Sequence, residues 1–261
     1  MPTAISPPRC ASAEECHHEA EDREAEGDFA AAATAYGHAC ELGDGASCFA
    51  RGVLLRGRVE PPDENGSHEA FAKACERDIA DGCAQLGTDQ LTGVGGDANP
   101  EGGRATLQRA CSAGSGLACH NLGVVVRDGV LGATKDAAAA FALFESGCRL
   151  GRGASCVEQA IALYDGAGTK RDGKRAQRIA ELACGSSAEH CWFLAELHHA
   201  AKRYQDARAL HDKACGAGAG IACHHLGVML DKGLGGAKDA TRANEAYARA
   251  CSLGVSDDCA R

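Results

Sequence analysis

Small and large apolar residues alternate along this chain in two stripes that recur at a regular interval. In one stripe, small residues stand at Gly52, Gly87, Gly123, Ala160, Ala195 and Gly227. In the other they stand at Ala32, Ser67, Gly103, Ala140, Ala176, Ala207 and Ala243, with large residues four positions later at Tyr36, Phe71, Leu107, Phe144 and Tyr247. Because residues four apart share one face of a helix, both stripes predict helices packed through these positions. A glycine inside a helix costs about 1 kcal/mol relative to alanine, so we expect neighbouring helices to approach closely there.

Paired cysteines set the register of both stripes. The first stripe lies four residues after the second cysteine of each pair, and the second stripe begins eight residues before the first cysteine. First cysteines recur after 35, 36, 37, 36, 31 and 36 residues, a period that indicates a stack of similar units. Residues 116–148 illustrate one unit: a helix ending at Gly129, a loop, and a second helix from Ala137 to Cys148.

The fold class predicted from this pattern is all-α, with each repeat a first helix (A) and a second helix (B). Residues 1–12 are expected to be an N-terminal tail and residues 13–261 the array. The repeats are placed at about 13–40, 45–76, 80–112, 116–149, 153–184, 188–215 and 220–252, followed by a terminal stub.

The chain has 16 cysteines, and we predict that they form eight disulfides. The predicted pairs are Cys10–Cys16, Cys40–Cys48, Cys75–Cys83, Cys111–Cys119, Cys148–Cys156, Cys184–Cys191, Cys215–Cys223 and Cys251–Cys259. Each of the last seven would join the end of one B helix to the start of the next helix, across a turn short enough for disulfide geometry. Metal-binding or redox cysteines are the alternative, although no C-x-x-C spacing occurs.

Composition narrows the class of partner and the compartment. The net charge is -9, with no basic stripe to neutralise phosphates, which argues against a nucleic-acid partner. The longest apolar run, Ala137–Phe144, is too short for a membrane span. The cysteine content predicts an oxidising compartment, so we expect a periplasmic or secreted monomer whose export signal is not visible in this sequence.

Motifs for catalysis are absent from the sequence. There is no S-x-x-K, no G-x-S-x-G and no H-x-H-x-D, so we expect no enzyme, no cofactor and no metal ligand set. Histidines form adjacent pairs at His17-His18, His198-His199 and His224-His225, and neighbours on a helix point about 100° apart. A single pair therefore cannot grip one ion, but His199 and His225, from different repeats, could converge on one face.

The unit A-C-x7-C-x-x-L-G…A-C resembles the Sel-one-like repeat, which is related to the tetratricopeptide repeat, and the cysteines resemble those of the Helicobacter cysteine-rich proteins. The resemblance covers about residues 13–261. It implies a right-handed α/α superhelical solenoid of about seven disulfide-stapled helix pairs, whose concave groove binds peptides, partner proteins or cell-wall fragments. Ala160, Ala195 and the shorter Cys184/Cys191 spacing depart from the pattern.

The resemblance implies that A helices line the groove. Positions two residues after the second cysteine, and some further along, would then face it; these candidates are Gln85, Asn121, Asp128, Glu158, Asp165 and His225. The function expected is an exported scaffold that binds a peptide or protein partner. The resemblance implies two alternative functions: β-lactamase or penicillin-binding activity, and the handling of a metal or haem as an assembly factor. A similar assembly factor is found in the mitochondrial intermembrane space, which is therefore the alternative location.

Overall fold

The computed structural model describes residues 10–256 and residue 259 of the 261-residue chain. The described part contains fourteen α-helices and one short 3-10 helix, Ala188–His190. The helices are α1 (Ala13–Ala25), α2 (Phe29–Glu41), α3 (Gly45–Gly57), α4 (Glu64–Glu76), α5 (Ala80–Thr92), α6 (Pro100–Ser112), α7 (Gly116–Asp128), α8 (Ala137–Arg149), α9 (Gly153–Asp165), α10 (Gly173–Ser186), α11 (Cys191–Ala200), α12 (Tyr204–Gly216), α13 (Gly220–Lys232) and α14 (Ala240–Ser252). Odd-numbered helices are the A helices and even-numbered ones the B helices. The all-α prediction is confirmed.

The chain divides into two compact halves, one ending at Asp136 and the other beginning at Ala137. In the N-terminal half, each helix from α1 to α7 packs against the next along the chain, and α5 also packs against α7. In the C-terminal half, α8 to α14 pack in the same consecutive order. Packing between neighbours in sequence is typical of a helical solenoid.

Side-chain caps and left-handed glycines explain where many of these helices begin and end. Asp44 accepts hydrogen bonds from the backbone N–H groups of Ala46 and Ser47 at the start of α3, and Ser115 accepts one from Ala118 at the start of α7. Helix α7 ends as predicted at Gly129, which adopts a positive φ of 68° that favours glycine. Gly93, Gly166 and Gly233 end α5, α9 and α13 in the same conformation.

Both sequence stripes are buried in the helix interfaces. A Cβ atom on Gly52 would lie 2.6 Å from the Phe71 ring, and one on Gly227 would lie 2.6 Å from the Tyr247 ring. The Gly87 position likewise would meet Leu107, at 2.9 Å. The glycines therefore accommodate large side chains of the following B helix, as the alternation of small and large residues predicts.

The two alanine departures from the glycine stripe coincide with smaller side chains on the B helix that follows. Where the A helix carries Ala160 instead of glycine, the equivalent large position of the following B helix holds Ala180. Where it carries Ala195, that position holds His211, whose ring is smaller than that of Phe or Tyr. All four side chains are buried. A smaller side chain on helix B leaves room for a Cβ on helix A.

Eight disulfides are present, in the pairs expected from the spacing. Their Cα–Cα distances run from 4.2 Å for Cys184–Cys191 to 5.0 Å for Cys10–Cys16. Six of them tie the end of a B helix to the A helix that follows, and no cysteine of the chain is free. These bonds restrict the unfolded chain, and each typically contributes about 2–4 kcal/mol to stability.

Candidate functional site

The predicted groove residues occupy the A helices, in two separate sets. Gln85, on α5, and Asn121, on α7, are half-buried in the N-terminal half, where Asn121 Nδ2 donates a hydrogen bond to Thr88 Oγ1 at 3.0 Å. Asp128 ends α7 and is exposed. Its neighbour Arg127 donates to it at 2.7 Å, and that hydrogen bond lowers the pKa of the Asp128 carboxyl.

In the C-terminal half, Glu158 is half-buried on α9 and Asp165 is exposed at the end of that helix. His225, on α13, lies against α11: its Nδ1 is 3.3 Å from Glu196 Oε1. The structure thus brings one of these three residues into a cluster of ionisable groups.

A common register governs the contacts of Asn121 and His225. Each stands two residues after the second cysteine of its repeat, and each touches the residue five positions after the second cysteine of the preceding A helix, Thr88 or Glu196. Helices α5 and α7 therefore pack against each other, and α11 and α13 are joined by a contact between side chains. We call the contact region between two consecutive A helices a seam; Asn121 and His225 lie in seams, and each already contacts a residue of the preceding A helix.

The Glu196 carboxylate is the centre of a three-residue cluster. Its Oε1 lies 3.1 Å from Nε2 of His211 and 3.3 Å from Nδ1 of His225. The two imidazole rings stack with 5.2 Å between centroids and 17° between planes. We call Glu196, His211 and His225 the histidine cluster; one ligand atom from each lies within 4.8 Å of the others.

Three successive helices position the histidine cluster. Glu196 comes from α11, His211 from α12 and His225 from α13, and each of these helices packs on the next. His211 is 1% exposed because it occupies the large-residue position of the buried stripe on helix B. Glu196 and His225 are about one-third exposed, with side-chain exposures of 32% and 35%, so one side of the cluster opens to solvent.

The charges of the cluster are linked. Burial alone would raise the pKa of Glu196, but the hydrogen bond with His211 and the nearby imidazoles of His225, His211 and His199 lower it below its usual value. Burial lowers the pKa of His225, and the neighbouring histidines add to this effect while Glu196 opposes it. His225 therefore favours its neutral form, which keeps a nitrogen lone pair available.

Of the three residues of the histidine cluster, only His225 was among the candidates predicted from the sequence. The convergence of His225 with His199 on one face stays a prediction. His225 lies against Glu196 and stacks on His211, and the charge of His199 acts on both Glu196 and His225. The signal for His211 was available, since a polar ring interrupts a stripe of Tyr, Phe and Leu at that position. Glu196 stands five residues after the second cysteine of its repeat, as Thr88 does. The importance of this position becomes clear only from the contacts of Thr88 with Asn121 and of Glu196 with His225.

A second buried carboxylate lies on an A helix of the N-terminal half. Asp89, on α5, is 2% exposed, and Arg56 of α3 donates to its Oδ2 at 2.6 Å. His68 Nδ1, from α4, lies 3.4 Å from the same oxygen. The Arg56 guanidinium also lies over the Phe71 ring, 4.7 Å from its centroid. This arrangement, which we call the arginine cluster, is a buried ion pair supported by an aromatic face.

A cavity of about 530 Å³ opens beside the Cys148–Cys156 disulfide in the C-terminal half. Ile179 and Leu182 contribute apolar surface, and Arg175 donates to Glu145 at 2.5 Å at its edge. None of the predicted groove residues lines this cavity. Within the described part of the chain, no helix is long and apolar enough to cross a membrane.

The repeats match a known family and known folds. The family model of the Sel1 repeat matches residues 80–115, 116–151, 158–185 and 220–255. A Sel1 repeat protein from Oxalobacter formigenes is 19% identical over 90% of this chain and 98% of its own, with a TM-score of 0.77. No curated protein matches the chain.

Two further solved structures are similar. The protective antigen c5321 of uropathogenic Escherichia coli is 20% identical over 94% of this chain, with a TM-score of 0.66, and the match spans 55% of that antigen's length. The Helicobacter pylori cysteine rich protein B is 26% identical over 52% of this chain and 97% of its own, with a TM-score of 0.41. The structures from Oxalobacter and Escherichia share the fold of this chain. Since the repeat model matches more than half of the residues, the chain belongs to the Sel1 repeat family.

Proposed function

We propose that this protein is a disulfide-stapled, non-enzymatic scaffold that binds a protein or peptide partner along the seams between consecutive A helices. Proteins built from Sel1 repeats generally mediate protein interactions. The observation that carries the proposal is the shared register of Asn121 and His225. In each half, a polar, half-buried side chain stands where two consecutive A helices meet, so a peptide bound there would contact both repeats.

The disulfides support a place outside reducing compartments. All 16 cysteines are paired, and glutathione and thioredoxin keep most cytosolic thiols reduced. The fit between this chemistry and an oxidising environment supports a periplasmic or secreted location. We therefore propose that the partner is met in that environment and that the oxidised chain is the binding form.

A selection from a random peptide library against the intact, oxidised, tag-free chain tests the proposal. We expect selected peptides to slow hydrogen exchange in α5 and α7, or in the consecutive A helices α9, α11 and α13. We also expect the Gln85→Ala/Asn121→Ala double variant, or its counterpart Glu158→Ala/Asp165→Ala, to weaken their binding at least tenfold.

A matched control is available for the lost hydrogen bond of Asn121. Thr106→Ala removes a side-chain hydrogen bond of similar length, 2.9 Å to Gln90, between α5 and α6 and away from the seam. Its melting temperature should fall about as much as that of the double variant, with peptide binding unchanged. Peptide binding that survives both seam variants would overturn the proposal, as would turnover of a chromogenic β-lactam abolished by a single substitution.

A further inference from the structure

We propose that Glu196, His211 and His225 form a binding site for a divalent transition-metal ion of the zinc class. The site would be held by three consecutive helices of the C-terminal half, and it does not depend on the scaffold proposal. From the sequence we expected no set of metal ligands, because two adjacent histidines on one helix cannot bind the same ion. The proposed site combines one member of such a pair, His225, with two residues from other helices.

The donor atoms match the ligand preferences of such ions. Zinc and copper favour imidazole nitrogens together with carboxylate oxygens. Two ligand atoms of a tetrahedral zinc site lie about 3.3 Å apart when each is about 2.0–2.1 Å from the ion. The oxygen of Glu196 lies 3.1 Å from the His211 nitrogen and 3.3 Å from the His225 nitrogen. Both distances agree with that spacing.

The open side of the cluster suits an exchangeable ligand. His211 is buried, whereas Glu196 and His225 are about one-third exposed. Three protein ligands with a solvent-facing side leave a fourth position for water, as in zinc sites that exchange a ligand. An ion could enter from this side without unfolding a helix.

One movement is required for the ion to be bound by both imidazoles. The rings of His211 and His225 are nearly parallel, at 17°, so their in-plane lone pairs do not meet at one point. His211 is held by packing, but His225 is partly exposed, and its ring can rotate about the side-chain bonds. We expect the His225 ring to turn when the ion binds, so that its lone pair and that of His211 point to the same position.

A histidine at position 211 stabilises the fold less than an apolar side chain would if its only role were packing. Its Nδ1 atom is buried with no hydrogen-bond partner among the described residues, and such an atom typically costs about 1–3 kcal/mol. Tyr, Phe or Leu fills the same stripe position in several other repeats without this cost. An ion bound by the other nitrogen, Nε2, would leave Nδ1 without a partner, but its binding free energy would outweigh this cost. Since Nδ1 lacks the usual outer partner of a metal-binding histidine, we expect an affinity 10–100-fold below that of sites with one.

The arginine cluster shows why the proposal is specific to Glu196. Arg56 carries a permanent positive charge and donates to Asp89 at 2.6 Å, so a cation would have to displace it. Around Glu196, the groups that face the carboxylate from α12 and α13 are imidazoles, which bind cations when they are neutral.

The test measures Zn²⁺ binding by calorimetry and Co²⁺ binding by visible absorption, on the full oxidised chain without a histidine tag. We expect one ion per chain and a rise in melting temperature with added Zn²⁺. Glu196→Gln, His225→Asn and His211→Leu should each weaken binding at least tenfold. His17→Asn is the matched control, since its ring contacts Asp44 and Ser47 in the N-terminal half; binding should be unchanged in this variant.

Three results would overturn the proposal. The wild-type chain could bind no ion, Glu196→Gln and His225→Asn could bind as tightly as the wild type, or His17→Asn could lose the site instead. If His211→Leu fails to fold by circular dichroism, the two partly exposed residues decide the outcome alone. Peptide binding measured with and without a chelator separates this site from the scaffold function.

Discussion

The arginine cluster and the histidine cluster each place a carboxylate on an A helix against groups from neighbouring helices, yet they differ in the nitrogen groups that face this carboxylate. Asp89 is 2% exposed and receives a guanidinium at 2.6 Å, whereas Glu196 is partly exposed and receives two imidazoles at 3.1 and 3.3 Å. A guanidinium keeps its charge at any physiological pH, but an imidazole gains or loses a proton near neutrality. The first arrangement is suited to holding helices together, and the second is the one for which we propose a metal ion.

Each cluster includes the residue at the large-residue position of a B helix, so the chemistry of the cluster and the packing of the repeat depend on the same side chain. In the arginine cluster, Phe71 fills the large-residue position of its B helix, facing Gly52, and supports Arg56 through its ring. In the histidine cluster, His211 takes that position, in a repeat whose A helix carries Ala195. Replacing one large ring by a smaller, polar one thus alters both the packing and the chemistry of a repeat.

Breaking the arginine cluster should have the largest effect on stability. We expect Arg56→Met to lower the free energy of unfolding by about 3–5 kcal/mol, because it leaves the Asp89 charge buried with His68 as its remaining neighbour. Urea denaturation of the oxidised chain measures the loss. The exposed Arg178→Met should change stability by less than about 0.5 kcal/mol. A loss below about 1 kcal/mol for Arg56→Met would contradict this view of the cluster.

Disturbing the ring beneath Arg56 should have the next largest effect. A methyl group at Gly52 would lie 2.6 Å from the Phe71 ring, so we expect Gly52→Ala to destabilise the chain by about 1–3 kcal/mol despite the better helix propensity of alanine. Gly57→Ala makes the same change at the end of the same helix, where nothing lies within 4 Å of the added atom. Its stability should be unchanged or higher, and equal losses in the two variants would exclude a packing cause.

The histidine cluster should respond in the opposite direction. We expect His211→Leu, measured without metal ions, to raise the free energy of unfolding by about 1 kcal/mol, because it removes a buried nitrogen that lacks a partner. Urea denaturation in the presence of a chelator checks this. A loss of stability would show that the contact between His211 and Glu196 outweighs the cost of burying the ring.

A third carboxylate, Asp44, combines fixed donors with an imidazole and should show the smallest effect. Burial alone would raise its pKa, but hydrogen bonds from Ser47, Ala46 and His17 lower the pKa of the Asp44 carboxyl below its usual value. Its stabilising contribution is therefore complete above the unfolded pKa of about 3.9 and is lost as the pH falls through the lower folded pKa.

Asp44→Asn isolates this contribution, because asparagine caps a helix about as well as aspartate but does not titrate there. Melting temperatures of both proteins, measured from pH 7 down to pH 2, should differ at neutral pH and converge in acid. Curves that stay parallel over the whole range would show that the charge of Asp44 adds nothing to the folded state.

Much of the fold could be predicted because its causes are local and repeated. Each glycine or alanine of the first stripe recurs in register with a cysteine, so Gly52, Gly87 and Gly227 could be assigned to helix interfaces before any contact was known. Gly129 and the glycines like it end helices through their own backbone preference. The alanine departures could not be interpreted in advance, since their reason lies in a different helix.

The candidate site was only partly predictable. His225 was selected as a groove residue. Its contacts with Glu196 and His211 could not be predicted, because the three residues come from three helices and their spacing in the sequence follows no obvious period. The remaining groove positions, such as Gln85 and Glu158, stay predictions of a binding surface.

The sequence by itself determined the repeat, the pairing of cysteines in neighbouring turns and the alternation of small and large residues, because each arises between residues close along the chain. The tertiary structure alone decided which ionisable groups meet. Burial of His211 and the approach of α11, α12 and α13 bring one carboxylate and two imidazoles together, whereas Arg56 reaches Asp89 from a different pair of helices. The physical reason is that contacts between ionisable side chains of different helices depend on how these helices are shifted relative to one another when they pack. The sequence of a single repeat does not encode this shift.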